Sequence, residues 1–71
     1  MKFEVLVDLR SSEVFEGERC GQEVGKVLKQ LADKVCNLNE DDFDELLKTG
    51  NEIELYVGDD VQVGKAAVFK E

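Results

Sequence analysis

ERCGQEVGKVLKQLADKVC, Glu18–Cys36, is the longest stretch whose apolar residues keep a helical period, and it decides the fold class. Val24, Val27, Leu28, Leu31 and Val35 recur at helical spacing, and Cys20, Ala32 and Cys36 widen the stripe. Gln22, Glu23, Lys26, Lys29, Gln30, Asp33 and Lys34 take the opposite side. A stripe of this kind must be buried against another element. Gly21 and Gly25 lie inside it, each costing ~1 kcal/mol relative to alanine. Their presence predicts a close approach of this helix to a sheet or another backbone.

On the N-terminal side, KFEVLVDL (Lys2–Leu9) alternates with period two. Phe3, Val5, Val7 and Leu9 are expected inward, with Lys2, Glu4, Leu6 and Asp8 outward, as in a half-buried strand. RSSEVFEG (Arg10–Gly17) has no period and reads as a loop anchored through Val14 and Phe15.

On the C-terminal side, NLNEDDFDELLKTGNE (residues 37–52) holds five acids in the six positions Glu40 to Glu45. Asn39 with Asp42 three residues on forms a capping-box pattern, and Leu38 with Phe43 a hydrophobic staple. Phe43, Leu46 and Leu47 give the buried face, and Gly50 ends the helix. Glu40, Asp41 and Asp42 complement the helix dipole, at ~0.3–1 kcal/mol each. Asp44 and Glu45 lie beyond the reach of that explanation. EIELYV (Glu52–Val57) alternates again, with Ile53, Leu55 and Val57 inward and Glu52, Glu54 and Tyr56 outward. Gly58-Asp59-Asp60 is a turn, and VQVGKAAVF (Val61–Phe69) is the returning strand of a hairpin. Its alternation breaks at Gly64-Lys65, which predicts a β-bulge there.

The order β-α-α-β-β gives an α+β fold in one domain, residues 1–71. A three-stranded, mostly antiparallel sheet with the helices packed on one face buries every apolar stripe. Its other face is then wet and carries Glu4, Leu6 and Asp8 from the first strand and Glu52, Glu54 and Tyr56 from the second.

Charge narrows the function. Residues 1–35 hold seven acids and six bases, a net of −1, while residues 36–71 hold ten acids and three bases, a net of −7. An acidic surface repels nucleic acid and anionic membranes, so direct DNA or RNA binding is not expected and a basic partner is. A domain this small buries only about 60% of its unfolded surface, so its stability is modest. Cys20 and Cys36, on one helix, are roughly 24 Å apart. That exceeds the ~7 Å limit of a disulfide. They read as small apolar core residues of a reducing compartment. No apolar run reaches the ~18 residues of a membrane span, and no signal peptide precedes the first strand. The expected location is the cytoplasm.

Catalytic chemistry has little to work with. The chain has no histidine, which removes the usual general base and the commonest metal ligand. Ser11 and Ser12 have no imidazole to activate them, and no phosphate-binding loop is present. The acids of Glu40–Glu45 lack the glycine of a calcium loop, and Phe43 interrupts them. The reading is of a non-enzyme without cofactor or metal.

What remains is a binding surface. Glu52 and Glu54 are roughly 6.7 Å apart along one strand face, twice the strand rise. That is about two phosphate steps of one DNA strand. With Glu4, Asp8, Asp59 and Asp60 they place negative charge on the sheet face and hairpin tip, around Leu6 and Tyr56 as apolar and aromatic anchors. Asp44 and Glu45 form a second candidate surface. The plainer reading is a solvated face kept soluble by charge; the asymmetry between the two halves of the chain speaks against it.

The strand MKFEVLV, the acidic loop FEGER, the helix end VLKQLADKV and the C-terminal hairpin resemble short reading frames of phages and prophages. In size, acidity and lack of chemistry the chain resembles the anti-CRISPR proteins. That resemblance implies binding to a CRISPR effector complex in the bacterial host and blockage of DNA, in some cases by mimicry of the DNA backbone. Those inhibitors share no motif, so no site residue follows from it. A self-associating subunit, through Leu6, Tyr56 or the sheet edges, is the alternative, so a monomer or weak homodimer is expected. An antitoxin against a basic partner shares the charge logic.

Overall fold

The computed structural model describes residues 1–58 and 60–71. The elements run β1 (Lys2–Val7), α1 (Cys20–Val35), α2 (Glu40–Thr49), β2 (Ile53–Val57) and β3 (Val61–Phe69), the expected β-α-α-β-β order. The sheet order is β1-β3-β2, and both pairings are antiparallel. The last strand is therefore central, and the first closes onto it from the far end of the chain, Lys2 opposite Phe69. Among the described residues no helix is long and apolar enough to cross a membrane.

Helices cover one face, α1 against β2 and α2 against β3. Val27 and Leu31 of α1 are buried with Leu55, Val63, Ala66 and Phe15, and Val7, Cys20, Val24, Val35, Ile53 and Val57 pack around them. Burying an aliphatic side chain of this size contributes about 1.5–3 kcal/mol. The segment after β1 is more than a loop: two short 3₁₀ turns, Glu13–Phe15 and Gly17–Arg19, lead into α1. Ser12 caps the first, and Phe15 anchors it in the core while Val14 stays exposed.

The start of α2 follows its sequence. The Asn39 side chain accepts from Asp42 N, and the Asp42 carboxylate accepts from Asn39 N, both at 3.0 Å. Gly50 ends the helix in the left-handed region, at φ 72°, where glycine has no Cβ to clash. Phe43, Leu46 and Leu47 are half-buried. Phe43 meets Phe3 edge-to-face, with ring centroids 5.6 Å apart.

Four expectations are corrected. The inward residues of the first strand are only partly covered: Phe3 and Val5 keep 39% and 41% of their surface, because α1 and α2 lie mainly over the other two strands, with Phe43 of α2 reaching Phe3. Leu9 lies past the strand and is exposed. Cys36 is exposed at the end of α1; only Cys20 reaches the core margin. Nothing lies within 4 Å of a Cβ built on Gly21 or Gly25, so neither marks a close approach. The close approach is at Gly64, where a Cβ would collide with the Leu6 carbonyl and come within 3.1 Å of Val7 Cα.

Candidate functional site

Strand parity builds the outer face of the sheet. Leu6 lies opposite Lys65, and Lys65 opposite Glu54 on its other side. One step along, Glu4 lies opposite Ala67. Glu4, Leu6, Glu52, Lys65, Ala67 and Phe69 line a shallow groove of about 160 Å³, largely apolar in its floor. Leu6 is the most exposed large apolar residue of the described chain, at 63%.

Lys65, Ala67 and Phe69 were not among the sequence candidates. The signal was the broken alternation of β3. Leu55 pairs with Gly64 and Tyr56 with Gln62, so Val63 is an extra residue between them, one position before the expected Gly64-Lys65 bulge. The extra residue lets Val63, Ala66 and Val68 all be buried. It thereby puts Lys65, Ala67 and Phe69 on the outer face.

The acids of this face are partly neutralised. Lys65 Nζ pairs with Glu52 Oε2 at 2.9 Å, and the Tyr56 hydroxyl donates to the Glu54 carboxylate. That hydrogen bond, followed by lost hydration and the Glu54 charge, raises the Tyr56 phenol above its ordinary 10.0. The two carboxylates proposed to imitate phosphate spacing each have an intramolecular partner. Asp8, just past β1, accepts from Arg10 N at 2.9 Å and shapes the turn. Asp60 is exposed in the hairpin turn, and Asp59 lies outside the described residues.

The second acidic surface is different. No ion pair among the described residues involves Glu40, Asp41, Asp42, Asp44 or Glu45. Lys48 is the lone base of α2 against these five acids. Asp42 is committed to the capping box, Asp44 is half-buried, and Glu40, Asp41 and Glu45 are exposed. Glu45 and Asp42 also border a hollow between the helices, floored by Leu38, Leu46 and Ile53 with Lys34 at its rim. The helices occupy the inner side of the sheet, so the α2 acids and the outer-face groove are separate surfaces.

The two sheet edges also differ. Gln30 of α1 donates from Nε2 to Tyr56 O and accepts at Oε1 from Tyr56 N, both at 3.1 Å. Lys34 Nζ donates to Glu54 O at 3.0 Å. The open side of β2 is thus occupied by side chains of α1. Among the described residues no side chain bonds to the open side of β1 in this way.

Comparison of the chain with protein-family models, curated proteins and solved structures gave no match.

Proposed function

We propose that this chain is a binding protein that docks on a basic, nucleic-acid-binding partner and denies nucleic acid its site, as an anti-CRISPR or anti-restriction inhibitor does. The observation that carries the reading is the unpaired acidic flank of α2. Four carboxylates there, Glu40, Asp41, Asp44 and Glu45, form no ion pair among the described residues and have no part in the capping box. Charge carried on a capped helix sits on backbone that is already ordered, so a basic channel meets it without a backbone-ordering cost. The outer face of the sheet contributes less charge than its sequence implies, because Glu52 and Glu54 are engaged. Leu6 and Phe69 make it an apolar contact with an acidic rim.

The test is competition. A guide-loaded CRISPR effector and a restriction endonuclease are incubated with the protein, and DNA binding is followed by gel shift. The wild type is expected to block binding, and block it less as salt rises from about 50 to 200 mM, as the partner's own phosphate contacts do. The variant Glu40→Gln, Asp41→Asn, Asp44→Asn, Glu45→Gln keeps Asn39 and Asp42 and so keeps the helix cap. It is expected to lose inhibition. Retained inhibition in that variant, with loss on neutralising Glu52, Glu54, Asp59 and Asp60, moves the site to the sheet and hairpin. No inhibition of either enzyme by the wild type overturns the reading.

A further inference from the structure

We infer that the free edge of β1 pairs with β1 of a second copy, in one antiparallel register, to make a six-stranded sheet. The inference is independent of the inhibitor reading and rests on three observations about one strand.

The first is unpaired backbone. Asp8 N donates to Val63 O at 2.8 Å. In an antiparallel ladder the direction of the backbone groups alternates. Leu6, Glu4 and Lys2 therefore turn their backbone groups toward β3, and Phe3, Val5 and Val7 turn theirs to the open side. Among the described residues nothing bonds to these outward groups. On the opposite edge the Glu54 carbonyl is met by Lys34, and both backbone groups of Tyr56 are met by Gln30. One edge is capped and the other is a template for a strand.

The second is apolar surface lying along that open edge. Phe3 and Val5 on the inner face are about two-fifths exposed, and Leu6 on the outer face is more so. A second strand laid beside β1 covers all three.

The third is charge, which selects the register. A two-fold axis through Val5 puts Val5 opposite Val5 of the second copy, Phe3 opposite its Val7, and Glu4 opposite its Leu6. Lys2 then lies opposite Asp8 of the second copy, twice by symmetry. The outward-facing residues exchange hydrogen bonds, and each Lys2–Asp8 pair is of the close, non-hydrogen-bonded kind. Shifting the axis to Glu4 keeps the faces matched but sets Glu4 against Glu4, and like charges directly opposite are destabilising. A shift that mismatches parity exchanges the inner and outer faces. The sequence of the strand is self-complementary about Val5.

The experiment is sedimentation of the full chain over a range of concentrations, with two charge variants and their mixture. The wild type is expected to show a monomer–dimer equilibrium. Lys2→Glu sets acid against Asp8, and Asp8→Lys sets two lysines face to face, so each variant alone is expected to dimerise on the order of tenfold more weakly. Mixed together, they restore both opposite-charge pairs, and a heterodimer at near wild-type strength is the predicted result. Circular dichroism of each variant checks that the monomer keeps its fold, and Lys2→Gln serves as the second variant if Asp8→Lys unfolds. It removes the attraction without repulsion and gives an intermediate weakening. A wild type that stays monomeric at millimolar concentration overturns the inference. So does a dimer that neither charge variant weakens, or variants that weaken it and do not recover on mixing.

Discussion

The two edges of this sheet are built from strands of similar composition and meet solvent in opposite ways. β2 has α1 alongside, and one glutamine on that helix satisfies both backbone groups of Tyr56. β1 pairs with β3 and meets α2 through the Phe3–Phe43 contact, and among the described residues nothing bonds to its outer edge, with Phe3 and Val5 half outside the core. The contrast follows from where the long helix packs. A 16-residue helix spans about 24 Å, enough to run along one edge, and α2 lies mainly over β3, reaching β1 at Phe3. Stability should therefore concentrate on the β2 side, and interaction potential on the β1 side.

The largest expected effect breaks the sealed side. Leu55 is fully buried in β2, and Leu55→Ala should lower unfolding stability by ~2–5 kcal/mol in urea titration. Val5→Ala in β1 should cost under about 1 kcal/mol by the same measurement, because the site is already partly in water. Equal losses would remove the contrast. Next comes Gln30→Ala, which leaves the Tyr56 backbone groups without their partners. A loss of about 1–3 kcal/mol is expected, together with faster amide exchange at Tyr56.

The smallest effect has the opposite sign. Gly21→Ala and Gly25→Ala add a methyl where nothing lies within 4 Å, on a helix whose backbone they otherwise loosen. Each should raise stability by roughly 0.5–1 kcal/mol. Nothing in the fold explains why glycine stands at either position.

Much of the fold was legible because it is local. Most of the helical stripe of α1, from which Leu28, Ala32 and Cys36 drop out as exposed, the Asn39–Asp42 cap, Gly50 and the β2–β3 hairpin each need only neighbouring residues to be read. The place of β1 was not, since its pairing with β3 joins Lys2 to Phe69 across the whole chain. Period-two alternation says which residues share a face but not whether a helix reaches over them, so Phe3 and Val5 were expected inside. The outer face was half legible. Glu4, Leu6, Glu54 and Tyr56 followed from parity, whereas Lys65, Ala67 and Phe69 depended on one extra residue, Val63, and reversed faces with it. The ion pair of Lys65 with Glu52 in turn changed the weight of the two acidic surfaces, a result that charge counting by segment does not reach.

The most direct measurement is hydrogen exchange of individual backbone amides at low and high protein concentration. The Tyr56 amide should be protected at both, by Gln30 of its own chain. The amides of Phe3, Val5 and Val7 should exchange quickly in dilute protein and become protected as concentration rises. Equal protection of both edges in dilute protein would contradict the account, and so would a β1 edge that stays unprotected at every concentration.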